Sequence, residues 1–446
     1  MLIEFKVANY RSIRAEQTLS MVGSNYSDEL PQNLISCDHV PGLKGTKLVK
    51  AVALYGANAS GKSNIVAALR FFAEFVRDSA TKLQPGAPTG AQPFKLDPAC
   101  LTAPSKFEIT AVINGIRTLY GLELTRERVT SEYLVAYPKG RPQVWFERDW
   151  DEKKGKYAWS KSTAHFKHDA ALHEKTRENA AFISVATQFN HQEVKDLLDW
   201  LNTQLECPDV EERAILAIQA SGMLKHDFGS KLLIPLLKSA DLGVVEVLTR
   251  TPTVNEHFRG FAHHMRVLSD SAEEGLPYKD GERLPDEAAI KNSLGDSLVP
   301  EFLHHSLGGV PRALNFFREE SLGTQRYTAL MAAMVLTREL NHVLIIDELE
   351  TGLHPILVRD AIAIFLSPAF TKAKQAQLIF TTHNPLLLDQ TLLRRDQIWF
   401  TEKDQEGATR LYPLTDFKPR KDESLVKGYL AGRYGGIPFI PEGLKF

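Results

Sequence analysis

Eight residues near the start of the chain, Gly56-Ala57-Asn58-Ala59-Ser60-Gly61-Lys62-Ser63, have the types and spacing of a phosphate cradle, G-x-x-x-x-G-K-[ST]. Backbone N–H groups of a glycine-bearing loop that opens a helix point at one place, and the helix dipole adds to their pull on an anion. In that chemistry Lys62 reaches the β- and γ-phosphates of ATP and the Ser63 hydroxyl ligates Mg2+. Gly56, Asn58, Ser60, Gly61, Lys62, Ser63 and the following Asn64 are the candidate nucleotide-binding residues. Such a loop needs a strand before it and a helix after it. Leu48–Leu54 is an apolar run rich in β-branched residues, and Asn64–Phe75 carries apolar residues at helical spacing.

Hydrolysis requires acids and a polar sensor at neighbouring strand ends. His342–Ile346 is a short continuous apolar run, as for a parallel strand buried on both faces, and it ends in Asp347-Glu348. Asp347 there would hold the Mg2+ shell, and Glu348 would orient or deprotonate the attacking water. A second run, Gln377–Phe380, leads into Thr381-Thr382-His383-Asn384-Pro385, which makes His383 a candidate γ-phosphate sensor. Open α/β sheets bind ligands at the carboxyl ends of their strands, so the three strand ends are expected to converge. Glu320-Ser321-Leu322-Gly323-Thr324-Gln325 precedes an apolar helix, Tyr327–Leu340. Ser and Gly at that position make either an anion site or an ordinary N-cap. Ser306-Leu307-Gly308-Gly309 reads instead as a hairpin turn before a short strand.

At 446 residues the chain is long enough for two or three domain-sized units. Its 43% hydrophobic and 24% charged content is ordinary for a soluble globular protein. No apolar run is long enough to span a bilayer, and Met1–Tyr10 reads as a strand, so a cytoplasmic protein without membrane association is expected. Cys37, Cys100 and Cys207 are scattered and lack metal-like spacing. The net charge of −2 gives no general nucleic-acid footprint. Three basic clusters, Lys153-Lys154-Gly155-Lys156, Arg394-Arg395 and Lys418-Pro419-Arg420-Lys421, are expected to be solvated loops, or else a local patch for nucleic acid. An antiparallel meander is expected after the connection Arg77–Pro98. It has strands at Phe107–Ile113 and Ile116–Leu124 about the hairpin pair Asn114-Gly115, then at Tyr133–Tyr137, Gln143–Arg148 and Tyr157–Ser160. From His191 the pattern turns helical, with Val194, Leu197, Leu198, Leu201 and Leu205 on one face. Leu224–Leu237 reads as a further helix and Ser271–Asp286 as an exposed loop.

Taken together, the opening Asn9-Tyr10-Arg11-Ser12 turn, the phosphate loop, E-S-L-G-T-Q, L-I-I-D-E-L-E-T-G-L-H-P and T-T-H-N-P resemble the ATP-binding cassette superfamily. The likeness is to its SMC, RecF and OLD-like branch, and within that to the AAA-type ATPases of anti-phage and abortive-infection operons. The tail Leu393–Phe400, ending near Gly435-Gly436-Ile437-Pro438, also looks like this group. The resemblance implies an α/β fold: an ABC-type P-loop ATPase head of mixed sheet flanked by helices, with an antiparallel β-subdomain and an inserted helical subdomain. The expected boundaries are an N-terminal lobe over 1–188, a helical insertion over 189–298 and a C-terminal lobe over 299–446. Ser321, Gly323 and Thr324 would be the signature motif, meeting the nucleotide of a second subunit. Glu350–His354 would be the D-loop, His383 the switch histidine, and Gln92 the candidate Q-loop residue at the metal. ATP with Mg2+ would then bridge a homodimer or a higher homo-oligomer. OLD-type nucleases carry a further nuclease domain, and the about 60 residues after His383 are too few for one. A separate effector protein, a nuclease or toxin, is the expected partner. The alternative is a RecF-like ATPase that binds DNA in repair.

Overall fold

In the computed structural model, residues 1–24, 29–161, 166–167, 170–208, 220, 222–224, 227–250, 299–368 and 375–438 are described. The chain divides into two compact units. One comprises Met1–Pro208, Leu336–Thr351 and Val358–Phe446, the other Asp209–Val335 and Gly352–Leu357. The first opens with β1 (Leu2–Ala8), β2 (Gln17–Ser20), β3 (Leu34–Ser36), β4 (Lys47–Val49), β5 (Ala51–Gly56) and α1 (Lys62–Asp78). A short α2 (Pro98–Thr102) leads to β6 (Ser105–Ile113), β7 (Ile116–Leu124), β8 (Val129–Tyr137), β9 (Gln143–Asp151) and β10 (Lys156–Trp159). There follow α3 (Ala170–Lys175), α4 (Phe182–Gln188), α5 (Gln192–Asp199) and β11 (Leu205–Glu206). The second unit holds α6 (Asp227–Ser239), β12 (Val244–Arg250), β13 (Val299–His304) and β14 (Arg312–Asn315), and α7 (Leu322–Leu340) starts there. β15 (Val343–Ile346), α8 (Pro355–Leu366), β16 (Gln377–Thr381), β17 (Ile398–Lys403), β18 (Thr409–Pro413) and α9 (Leu425–Leu430) follow.

The fold is α/β. Its central sheet has the order β11-β15-β16-β5-β17-β18, parallel from β11 to β17 and closed by antiparallel β18. Every residue of β5, β15 and β16 is buried, as strands covered on both faces require. Ile65, Leu69, Phe72 and Val76 recur at helical spacing along α1 and enter the same hydrophobic core as Val52 and Leu54 of β5. The second sheet of this unit is antiparallel, β10-β9-β8-β7-β6-β1-β2. Asn114 and Gly115 adopt φ of 49° and 77° between Ile113 and Ile116, the left-handed pair that a two-residue hairpin turn needs. One side chain ties the sheets together. The amide of Gln377 accepts from Leu2 N–H at 2.6 Å and donates to the Leu2 carbonyl at 2.9 Å, as a strand neighbour would.

Several elements differ from the sequence reading. The apolar run Leu48–Leu54 is two strands, β4 pairing with β3 while β5 enters the central sheet. The amphipathic helix read through Leu205 ends earlier, because Leu205 lies opposite Val343 as a parallel edge strand. Residues 189–208, placed by pattern in a helical insertion over 189–298, fold with the first unit. In the second unit Val244–Arg250 is a strand, and β12-β13-β14 form an antiparallel sheet. Its β-branched residues Val244, Val245, Val247 and Thr249 favour a strand over a helix. The hairpin turn expected at Ser306–Gly309 joins β13 to β14. The loop expected at 271–286 lies outside the described residues. Among the described residues, no helix is long and apolar enough to cross a membrane.

A fully buried ion pair fastens the meander to α4. Glu132 takes Tyr120 Oη at 2.9 Å, Arg148 Nε at 2.8 Å and the N–H groups of Phe182 and Ile183 at 2.8 and 3.2 Å. Both side chains are wholly shielded from water, so each ion depends on the other. Arg148→Ala, which strands the carboxylate, is expected to cost roughly 3–5 kcal/mol in a urea unfolding curve; a cost below about 1 kcal/mol would show the pair to be replaceable.

Candidate nucleotide site

The site is built on the C-terminal ends of β5, β15 and β16, adjacent strands in the order β15-β16-β5. After β5 the chain turns through Ala59 (φ 63°) and Gly61 (φ 108°) into α1, whose N-cap is Gly61. Asn58 and Ser63 face solvent while Ser60 and Lys62 are buried. The glycines are required by what surrounds them. A Cβ on Gly61 would sit 2.0 Å from Thr409 Oγ1, and one on Gly56 would sit 2.4 Å from Thr401 Oγ1. The Lys62 ammonium donates to the carbonyls of Gly56 at 2.7 Å and Ala57 at 3.1 Å. Burial lowers its pKa, while Asp347, Glu350 and Glu348 pull the other way. His383 follows the same pattern: burial and Lys62 lower its pKa, and the same three carboxylates pull it up. Lys62, Asp347, Glu348, Glu350 and His383 therefore share one electrostatic environment.

Two straps cross between β15 and β16. The Thr381 hydroxyl donates to Asp347 Oδ1 at 2.5 Å and accepts from Glu348 N–H at 2.6 Å. In return, Glu350 Oε1 accepts the N–H of His383. Between them Glu348 adopts φ 49°, a left-handed conformation uncommon for a residue other than glycine, asparagine or aspartate. Its carboxylate also takes the Thr351 hydroxyl at 3.2 Å. Strain of this kind persists where neighbouring contacts over-determine it.

Two hydrogen-bond chains hold the loop from the far end of the sequence. Asn64 donates to Ser12 Oγ at 2.6 Å, Ser12 pairs with Thr409 Oγ1 at 2.8 Å, and Thr409 donates to the Ser60 carbonyl at 3.0 Å. Ser60 Oγ lies 2.6 Å from Thr401 Oγ1, which donates to the Tyr55 carbonyl at 3.3 Å. Thr381, Thr401, Thr409 and Ser12 are absent from the residues the sequence nominates. Two of them had a visible cue: Thr381 by its place at the end of an apolar strand, and Ser12 by its place in the opening Asn9-Tyr10-Arg11-Ser12 turn. Gln92 is exposed, and its carbonyl accepts Arg11 N–H at 2.6 Å beside the Asn9–Ser12 turn.

In the second unit, Ser321 caps α7. Its Oγ accepts from Thr324 N–H at 3.0 Å and pairs with Thr324 Oγ1 at 2.9 Å, while His304 Nε2 holds the preceding Glu320 at 2.6 Å. Arg326 lies against Gly352, where a Cβ would fall 1.8 Å from its guanidinium. Within this unit the start of α7 therefore lies beside Gly352, whose carbonyl would be 3.7 Å from a Cβ on Gly323.

The family model described as "AAA domain, putative AbiEii toxin, Type IV TA system" matches residues 51–389, from β5 to the turn after His383. The chain belongs to this AAA-domain family. No curated protein matches it. Among solved structures, the AAA domain is similar to the SmcHead bound to the C-winged helix domain of ScpA, at 13% identity and TM-score 0.38, covering 92% of this chain and 96% of that one. It is also similar to the SMC head domain from Thermotoga maritima, at 12% identity and TM-score 0.37, covering 92% and 98%.

In the AAA domain the Thr381 hydroxyl bonds to both members of the acid pair. Thr381→Val, which deletes both of its bonds, is expected to lower Mg2+-dependent ATP turnover about 10- to 100-fold, with Thr381→Ser restoring most of it. Equal rates for the Val variant and the wild type would exclude this role.

Proposed function

We propose that the protein is an ATP-binding and ATP-hydrolysing switch that assembles through nucleotide held between copies of itself. In this reading it controls a separate effector, a nuclease or toxin, in defence against phage. The observation that carries the reading is the placing of Lys62 among Asp347, Glu348 and His383 at three adjacent strand ends.

The donor set suits Mg2+–ATP. Asp347 offers one carboxylate and Ser63 one hydroxyl, a set that leaves the other positions of a Mg2+ ion to phosphate oxygens and water. Ser63 and Asp347 would hold it, with Gln92 as the further candidate, and the bound ion would neutralise phosphate charge. The chain's own work is then positional. Lys62 exchanges two carbonyl acceptors for the β- and γ-phosphates. Glu348, held by Thr381 and Thr351, takes a proton from water or orients it. His383 reads the γ-phosphate. Gly56, Asn58, Ser60, Gly61 and Asn64 complete the cradle.

Assembly is supported by the start of α7. Ser321 caps it, and Leu322 beside the cap is 68% exposed, an apolar side chain suited to being covered by another copy. Ser321, Gly323 and Thr324 would meet the nucleotide of that copy. The family description, which names a toxin of a toxin–antitoxin system, supports the defence setting. Of the three basic clusters, the cations of 153–156 and 418–421 are exposed, whereas Arg394-Arg395 is withdrawn from solvent and counts against a DNA clamp at that place. Arg394 is buried against Asp396 at 2.8 Å and Arg395 is paired with Glu29, so neither is a solvated loop cation or available to phosphates.

Glu348→Gln retains the bulk of the side chain but cannot accept a proton. With ATP it is expected to accumulate as a dimer or larger assembly, with turnover reduced at least about 100-fold. Light scattering with and without ATP measures this. An unchanged mass would remove the assembly step while leaving ATP binding intact.

A further inference from the structure

The tail motif Gly435-Gly436 lies directly behind the phosphate loop. Both glycines have left-handed φ, 65° and 67°. A Cβ on Gly435 would fall 2.4 Å from Tyr412 Oη and 2.6 Å from Glu402 Oε2. One on Gly436 would lie 3.3 Å from Phe400 Cδ1 and 3.5 Å from the Cα of Gly56. The first glycine of the loop is thus enclosed by Ser60 and Thr401 on one side and by Gly436 on the other.

The tail is fixed there by aromatic residues. Tyr429 of α9 donates to the Gly436 carbonyl at 3.2 Å, and Tyr412 donates to the Tyr434 carbonyl at 3.0 Å. The rings of Tyr429 and Tyr434 stack near-parallel with Phe400 at 5.8 and 5.9 Å. Tyr429 also meets the edge of Tyr55 at 5.6 Å. Tyr55 immediately precedes Gly56, is fully buried, and donates to the carbonyl of Asn384, the residue after His383, at 3.2 Å. One tyrosine ring of the tail therefore touches the side chain that joins the loop to the sensor turn.

We propose that Tyr429 and the Tyr434–Gly436 turn are working parts of the nucleotide site, with Gly436 and Tyr429 as positioning residues that hold the phosphate loop and the sensor turn in register. Nucleotide and tail are then linked reciprocally: a correctly seated tail raises affinity for ATP, and bound ATP holds the tail down. The inference rests on the nucleotide reading and adds to it a place where a partner gripping the tail would change ATP affinity.

The test compares wild type, Gly436→Ala, Tyr429→Phe and Leu430→Ala. Leu430 lies on the same helix with its side chain 62% exposed and serves as the control. Binding of a fluorescent ATP analogue, KM and kcat are measured, together with release of the C-terminal peptide by trypsin with and without ATP. Gly436→Ala is expected to raise Kd and KM for ATP about tenfold, with kcat changed much less. Tyr429→Phe, which keeps the ring and loses one hydrogen bond, is expected to raise them about two- to fivefold, and Leu430→Ala to leave them unchanged. ATP is expected to slow release of the peptide from the wild type. Wild-type affinity in both Gly436→Ala and Tyr429→Phe, with peptide release indifferent to ATP, overturns the role of the tail alone. A wild type that binds no ATP overturns the nucleotide reading as well.

Discussion

A buried ammonium must have partners, and the first unit is arranged around that requirement at Lys62. Its immediate acceptors are two carbonyls of its own loop, and its wider surroundings are three carboxylates and an imidazole. Carbonyl acceptors satisfy the lysine without neutralising it. The site therefore holds a cation ready for a stronger anion, and acids that a divalent ion can offset. That balance suits a triphosphate arriving with Mg2+ better than it suits either partner alone.

Holding such groups together demands rigidity from distant parts of the chain. β5, β15 and β16 contribute one group of functional residues each, and their parallel pairing brings residues near 56, 347 and 383 to one edge. Thr381 and Glu350 cross-brace the ends of β15 and β16, so the acid pair and the histidine turn are tied to each other. On the other side, β17 and β18 supply Thr401 and Thr409 as fixed walls of the loop. Hydroxyls suit this task because each can donate and accept at once, giving a directional chain from Asn64 through Ser12 and Thr409 to Ser60.

The catalytic candidates were legible because each sits beside a strong local pattern: glycines at fixed offsets, or an apolar run ending in polar residues. The same holds for the Asn114-Gly115 hairpin, whose turn chemistry is contained in two residues. The braces were not legible. Thr401 and Thr409 act on Ser60 and Gly61 across more than three hundred residues, and no spacing records that approach. Leu205 fits a helical stripe, yet tertiary pairing with Val343 makes it a strand. Arg394 and Arg395 read as surface cations by composition, and only the fold shows that Asp396 and Glu29 enclose them. Patterns of period and type expose elements, whereas the partners of buried polar groups emerge only once those elements are packed.

The central claim is that Lys62 and the Asp347 strand end hold a magnesium nucleotide. Isothermal titration of the wild-type protein and of Lys62→Ala with ATP in the presence of Mg2+ tests it most directly. The account predicts saturable one-to-one binding by the wild type and a loss of affinity of at least about 100-fold in the variant. Equal affinity in the two, or no binding by a folded wild type, would contradict it.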